Sequence, residues 1–459
     1  MPQAALAAGV QQEAGAWDDA SRLALISALA DRARHGLDHV IFLKVADGTS
    51  GEALKAAALR YARALAHGLV DPTTQHDPFT LARARLDPEP ALAKALAEGR
   101  LREWLASLAP QDDEYTRLSQ AYLDLRAKSQ DAAEPEIGGG NLLKVGDVDP
   151  RIAAIAEQLI TAEYLPPTSS ATPAAGPPVY TQRIAEAVKA LQRDYGIAAD
   201  GVIGPDTLGV LNLGAGDRAR AIAVALERRR WLDRTPPATR IDVNTAATQL
   251  QYYRDGVLVD TRRVVVGKPG TETPPLQSPI YRLVANPTWT VPKSIQNGEL
   301  ANVGADYLQR NNMVLRDGWI VQGSGPENAL GMVKFDMHNQ HAIYLHDTSA
   351  PELFDRSQRH RSHGCVRVED ALGFAQLLAE DQGIGEAWLA AQMGGEQQFV
   401  PLRKPIPVRL IYRNVFVDET GKVALRADPY GWNAPIASAL GFADNAKARL
   451  RSDAADIGP

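Results

Sequence analysis

The run Ser362-His363-Gly364-Cys365-Val366-Arg367 holds the only cysteine in 459 residues, set between histidine, glycine and arginine. A lone thiol cannot be half of an internal disulfide, and structural zinc sites usually take several thiolates. Two readings stand. Most free cysteines are small buried hydrophobes. In these surroundings the sulfur can instead be a nucleophile, because a free thiol near pKa ~8.5 becomes a thiolate when a positive group lowers that value. His346 would supply the base. It closes the apolar run Ala342-Ile343-Tyr344-Leu345, which predicts a buried strand, and the polar stretch 349–361 with Pro351 predicts the connecting loop. A strand end and a turn can thus present imidazole to sulfur, as cysteine–histidine catalysis requires. A histidine that merely caps a strand is the other reading.

Gly364, lacking a Cβ, suits a tight turn that substrate must approach. Five of the nine histidines (His338, His341, His346, His360 and His363) gather near the cysteine, but their spacing fits no standard zinc pattern. Neither a metal nor a cofactor is expected.

Several separated segments accompany the cysteine run: Val265–Gly270, Asn286-Pro287-Thr288-Trp289-Thr290-Val291-Pro292, Asn328-Ala329-Leu330-Gly331, Lys334-Phe335, Tyr344-Leu345-His346-Asp347-Thr348 and Leu353-Phe354-Asp355. In this order they resemble the L,D-transpeptidases with a YkuD-type catalytic domain, and within these the YcbB-like (LdtD-like) branch. The resemblance implies roles residue by residue. Cys365 is the nucleophile, and His346 its general base and then acid. The backbone N–H of Cys365, with that of Gly364 or a near neighbour, stabilises the oxyanion; one such donor is typically worth ~3 kcal/mol of barrier. The carbonyl of Asp347 orients the imidazole. Arg367 binds a substrate carboxylate, a surface salt bridge being its other reading. Tyr344 and Trp289 resemble pocket residues, although core positions would suit both. Ser362 is a substrate-binding position, and His363 lines the pocket or shapes the oxyanion loop. His346 ranks above His363 as base, since parts of the branch carry a small residue at the latter place.

The same resemblance implies the reaction. Cysteine acylation by a peptidoglycan tetrapeptide stem would release terminal D-alanine, and transfer to a neighbouring stem would give a 3→3 cross-link. A carbapenem could acylate the same sulfur. An L,D-carboxypeptidase using water, or a transpeptidase that anchors a lipoprotein, would need the same cysteine–histidine site. Papain-like peptidases place cysteine before histidine, against the order here. A wall-binding protein with an inactive site is a third class, disfavoured by the intact signature.

Composition bounds the setting. Formal net charge is −6 and the pI about 5.9, so no polybasic surface advertises nucleic acid. Hydrophobic residues make up 45%, enough for buried cores, and nothing approaches the ~20-residue apolar stretch of a membrane span. The first dozen residues lack the basic start and apolar centre of a signal peptide. Since the resembled family works in the periplasm or cell envelope, a trimmed leader or anchor is expected, and a single cysteine suits an oxidising compartment.

The sequence predicts an α+β multidomain chain. Residues 1–132 form an α-helical scaffold, with helices at Ser21–His35, Glu52–Gly68, Pro88–Leu108 and Tyr115–Lys128. Residues 145–214 resemble a small helical peptidoglycan-binding module, carrying Asp200-Gly201-Val202-Ile203-Gly204-Pro205 and a mobile Pro/Ser/Thr loop at 166–178; a spacer without glycan affinity is the alternative. A linker helix at 215–236 leads to a mainly β catalytic domain at 237–430. Within it, Asp255-Gly256 marks a hairpin, and 293–325 is a short cap over the site, with one helical stretch at Tyr307–Asn312. A cap that excludes water would favour transfer over hydrolysis. Residues 431–459 form a helical tail, with a helix at Asp444–Ala455 returning to the scaffold.

Overall fold

The computed structural model describes residues 17–44, 50–129, 136–166 and 177–443. Five helices form the first block: α1 (Asp19–Ala30), α2 (Gly51–His67), α3 (Pro88–Ala97), α4 (Leu101–Leu108) and α5 (Asp113–Lys128). Side-chain caps fix most of their starts: Asp18, Ser50, Asp87 and Asp112 each accept a backbone N–H from the first turn, satisfying donors that the helix leaves unpaired. The single helix expected over 88–108 is two, because Gly99 turns the chain at φ +64°. Three helices then build the second unit, α6 (Arg151–Thr161), α7 (Gln182–Asp194) and α8 (Pro205–Leu211). Buried Gln192 locks its turn: the amide donates to Val202 O at 2.9 Å and Thr207 Oγ1 at 3.1 Å, and accepts from Gly201 N at 2.8 Å. Most of the expected mobile loop, and the helix expected at 444–455, lie outside the described residues.

Helix α9 (Ala215–Trp231) runs through the first block, buried along most of its length. It carries a charged pair with no solvent exposure, Glu227 and Arg230, joined at 2.6 Å. Burying such a pair is tolerable only when the remaining polar atoms are satisfied, and here nearly all are. Glu227 also accepts from Val70 N and the Trp231 indole, while Arg230 donates to His35 O and the Tyr115 hydroxyl, both at 2.8 Å. One ion pair thereby ties α9 to α5, to the turn after α1 and to the turn after α2.

The β domain follows. Its strands are β1 (Arg240–Asn244), β2 (Gln249–Arg254), β3 (Val257–Gly267), β4 (Leu276–Ala285), β5 (Trp289–Thr290), β6 (Met313–Arg316), β7 (Trp319–Gln322), β8 (Val333–Met337), β9 (Leu345–His346), β10 (His360–Ser362), β11 (Val366–Val368), β12 (Gln398–Ile411), β13 (Val415–Val417) and β14 (Val423–Leu425). The hairpin at Asp255-Gly256 forms, with both residues at positive φ as a primed turn requires. The main sheet runs β10-β3-β11-β9-β8-β4-β12-β1-β2, and a further β2–β3 pairing closes it. Long β3 makes this closure possible: its first half pairs with β2, Val264-Val265 with β11, and Val266-Gly267 with β10. Inward residues such as Leu345, Phe335, Val366 and Val368 form one core with α12 (Ala371–Asp381) and α13 (Gly385–Met393). The cap contains more than the one helix expected. It holds α10 (Lys293–Asn297), α11 (Ala305–Arg310) and the β6–β7 hairpin, packed around Trp289, Val291, Ile295, Met313 and Ile320. Finally α14 (Asn433–Ala439) returns to the scaffold core through Ile436 and Ala437.

Glu227→Ala should lower stability by about 3–5 kcal/mol, the usual cost of leaving half of a buried ion pair unmatched. The denaturation midpoint of the helical block, followed by circular dichroism, would report it.

Candidate active site

The expected strand at 342–346 shortens to β9, since Ala342 takes a left-handed φ of +54°. What remains is enough to order the site. Parallel pairing of β9 with β11 sets Leu345 beside Val366 and His346 beside Arg367. Leu345 and Val366 point into the core, so alternation along each strand sends Tyr344, His346 and Arg367 to the opposite face. Register extends the row: Val265 stands beside Arg367, and Lys334 beside His346. Cys365, immediately before β11, lies level with Tyr344, whose carbonyl accepts the Val366 N–H at 3.1 Å.

Gly364 takes φ +111°, a conformation that L side chains rarely adopt, and an added Cβ would lie 3.2 Å from Ile343. The turn is braced from within. Its Gly364 N–H donates to Ser362 Oγ at 3.2 Å, and that hydroxyl donates to Cys365 O at 2.6 Å. Ser362 is fully buried; its hydroxyl serves the loop and not the substrate-facing role expected of it. Gly364 shapes the turn but has its own N–H engaged, whereas the Cys365 N–H has no acceptor among the described residues.

The sulfur is half-buried, and its S–H donates to Ala342 O at 3.5 Å. Burial pushes the Cys365 thiol above the ordinary range, opposed by hydrogen bonds from the Tyr344 backbone and side chain and by the charges of Lys334 and Arg367. His346 has no solvent exposure, and neither ring nitrogen has a hydrogen-bond partner. Burial and the Arg367 charge lower its pKa to about 3, with the Asp347 carbonyl acting weakly the other way. That carbonyl is near enough to favour protonation, yet not in hydrogen-bond geometry with the ring. Resting cysteine and histidine are therefore both neutral. The imidazole keeps its lone pair across physiological pH.

Tyr344 faces the sulfur. Burial first, and then the facing sulfur, hold it protonated well beyond the usual tyrosine range, with Trp289 acting the other way. The Tyr344 ring lies 5.6 Å from that of His346, and Lys334 Nζ sits 4.1 Å from its centroid. Trp289 is buried in the cap cluster, so it supports Tyr344 more than it lines a pocket. Arg367 is 2% exposed, which rules out a surface salt bridge. The Asp347 side chain accepts Met332 N at 2.8 Å, and burial raises its pKa. His363 turns away toward the cap, 2.9 Å from Glu299, which also lies 3.7 Å from Lys268. Among the described residues no cluster of three histidine, cysteine or acidic side chains could hold a metal.

Three contributors had no role assigned from sequence. Thr273 Oγ1 donates to Gly364 O at 2.8 Å and accepts from Gly267 N, and the Tyr430 hydroxyl donates to Gly267 O at 2.6 Å. Nothing local marks either residue. Lys334 was visible as a charge alternating with buried Val333 and Phe335, which should have flagged it.

Because the thiol is neutral at rest, iodoacetamide alkylation of Cys365 should keep rising with pH beyond the ordinary thiol range of ~8.5. A plateau at neutral pH would instead reveal a preformed thiolate–imidazolium pair. Tyr344→Phe should slow alkylation at pH 8 by about tenfold or more, since hydrogen bonds to charged groups are worth ~1.5–3 kcal/mol.

Comparison with known proteins places these residues. Residues 238–387 match the YkuD family, described as the L,D-transpeptidase catalytic domain. Residues 12–121 match the scaffold domain family, and 148–211 a family described as "Putative peptidoglycan binding domain". A Haemophilus influenzae protein named "Putative L,D-transpeptidase" is 31% identical over 220 residues, covering 43% of this chain and 45% of that protein. The chain thus spans under half the length of this relative. Solved structures with partial likeness include an L,D-transpeptidase from Mycobacterium smegmatis (11% identity, 38% of this chain and 58% of that one, TM-score 0.22). Another is the Enterococcus faecium L,D-transpeptidase catalytic domain acylated by ertapenem (15% identity, 39% and 99%, TM-score 0.21). Scores this low leave the assignment resting on the sequence matches. By those matches this chain carries a YkuD-type L,D-transpeptidase catalytic domain behind a helical scaffold and a module of the peptidoglycan-binding type.

Proposed function

We propose that this chain is a peptidoglycan L,D-transpeptidase of the YcbB-like branch, working in the periplasm through a Cys365 acyl-enzyme and forming 3→3 cross-links. The observation that carries the proposal is the outward face of β9 and β11, where His346 and Arg367 stand side by side next to the turn that carries the one cysteine of a YkuD-type domain. No helix among the described residues is long and apolar enough to cross a membrane.

Acylation would begin with a stem tetrapeptide whose carboxylate pairs with Arg367. That pairing offsets the charge that depresses His346, so the imidazole can hold a proton while the complex lasts. His346 takes the thiol proton as Sγ bonds to the carbonyl carbon of the third stem residue. The Cys365 N–H and the Tyr344 hydroxyl stabilise the oxyanion, since the Gly364 N–H is engaged by Ser362 Oγ. The imidazolium then protonates the departing nitrogen, and the C–N bond to D-alanine breaks. In the second half, an acceptor amine attacks the thioester, His346 takes its proton, and the C–S bond breaks as the proton returns to sulfur. The cap over Tyr344 and Trp289 limits water at the thioester, which favours the amine. A carbapenem carbonyl would enter the same path as far as the acyl-enzyme.

Incubation with a disaccharide-tetrapeptide and mass spectrometry of the products tests the reading. The expected product is a dimer that has lost D-alanine, absent with Cys365→Ala. His346→Ala should slow its formation by about 10²–10⁴-fold, the usual worth of a general base. Tripeptide alone would make the enzyme a carboxypeptidase, and a fully active His346→Ala enzyme would remove His346 from the mechanism.

A further inference from the structure

The outward face that carries His346 and Arg367 continues across β8 and β4, and it holds a charge that the proposed reaction leaves unused. Lys334 pairs with His346 in the β8–β9 register, while its neighbours Val333 and Phe335 are buried. Tyr344, two residues before His346, therefore lies diagonally across the strand pair, a separation that long side chains can span. The lysine does span it: Nζ lies 4.1 Å from the centroid of the Tyr344 ring.

Lys334 is held there from its other side. Asp336, itself buried, meets Lys334 Nζ with one carboxylate oxygen at 2.8 Å and accepts from Arg282 Nε with the other at 2.6 Å. Arg282, which pairs with Asp336 across β4 and β8, lies 4.2 Å from the centroid of the Phe399 ring. Asp336 does not need the lysine for its neutralisation, because Arg282 already supplies a positive charge. An ordinary surface ion pair would also leave the ammonium group in water, whereas the Lys334 side chain is only 25% exposed. The carboxylate and the ring hold it between them.

A cation over an aromatic face is drawn to the electron density of the ring, and the Tyr344 ring carries the hydroxyl that faces the sulfur. Two consequences follow for the chemistry. The attraction fixes the ring, so the hydroxyl keeps its aim. It also sets positive charge behind that hydroxyl, which stabilises negative charge gathering on sulfur or on a carbonyl oxygen. Among the charges around the site, Arg367 from β11 and Lys334 from β8 both favour the thiolate and disfavour the imidazolium of His346, whereas Asp336 acts against ionisation of Tyr344.

We propose that Lys334 is a positioning residue that acts through Tyr344, an assignment that rests on the transpeptidase reading above: its ammonium group, clamped by Asp336 against the ring, holds the hydroxyl toward Cys365 and strengthens it as a donor to the charge formed on acylation.

Alkylation of Cys365 by iodoacetamide reads the effect without substrate. Lys334→Met should slow it at about pH 8 by about fivefold, the worth of a partly exposed cation–π contact, and should move its rise to higher pH, since a charge that favours the thiolate is gone. Lys334→Gln repeats the loss with a different uncharged side chain, so a folding defect in one leaves the other informative. Lys334→Arg, which keeps the charge, should stay within about twofold of the unmodified enzyme. In a Tyr344→Phe background, Lys334→Met should cost less than about twofold, because the hydroxyl through which the lysine acts is missing. With a disaccharide-tetrapeptide, Lys334→Met should lower kcat about fivefold and change KM by less than about twofold, as expected of a group that meets only the transition state's charge. Unchanged alkylation in both uncharged variants, an arginine variant as slow as they are, an equal loss with and without the Tyr344 hydroxyl, or a loss confined to KM would each overturn the proposal. An unmodified enzyme that turns over no stem substrate would overturn the transpeptidase reading alone, since alkylation needs no turnover.

Discussion

Parallel pairing between two short strands, Leu345-His346 and Val366–Val368, is the constraint on which the site depends. Strand alternation makes the pairing selective: every second residue anchors the core, and the residues between face the chemistry. A shift of one position would bury Tyr344 and Arg367 in the apolar core and expel Leu345 and Val366. Register is thus secured by hydrophobic burial, although its product is a polar site. Closure of the sheet through β3 holds the pair from both sides, and the braced turn of Ser362–Cys365 fixes where the sulfur leaves the strand.

Electrostatics at the site follow from the same burial. Enclosure keeps the Cys365 thiol and the His346 imidazole neutral, so the resting enzyme stores no thiolate. Burial and then the Arg367 charge hold His346 deprotonated, while the Tyr344 hydroxyl faces the sulfur and is itself held protonated by burial. The cap thereby reaches the reaction through Trp289 and Tyr344, and the cysteine turn through the Glu299–His363 contact.

Much of the architecture was legible along the chain. Helices α2, α5, α7 and α9 follow from three- and four-residue apolar spacing and capping residues, and the β2–β3 hairpin from Asp255-Gly256. Where reading failed, a local pattern gave way to something it could not contain. A helix running through 88–108 yields to a left-handed Gly99, and a five-residue strand at 342–346 yields to the left-handed Ala342. The hairpin in the cap carries the same Asp-Gly signal, Asp317-Gly318 with both residues at positive φ, but its flanking Val314 and Leu315 are exposed and show no alternation.

Residue type and order along the chain were enough to single out Cys365 and His346, since a lone cysteine beside glycine, with a histidine at a strand end, is chemistry written in local sequence. Ser362, Gly364 and Asp347 could be named from the same motif but not given their tasks. Those tasks, the neutral resting state, the contact of Tyr344 with the sulfur and the bracing by Thr273 and Tyr430 depend on burial and on neighbours remote in sequence. Hydrogen bonds and desolvation act between atoms that are close in space, and only the closed sheet brings those atoms together.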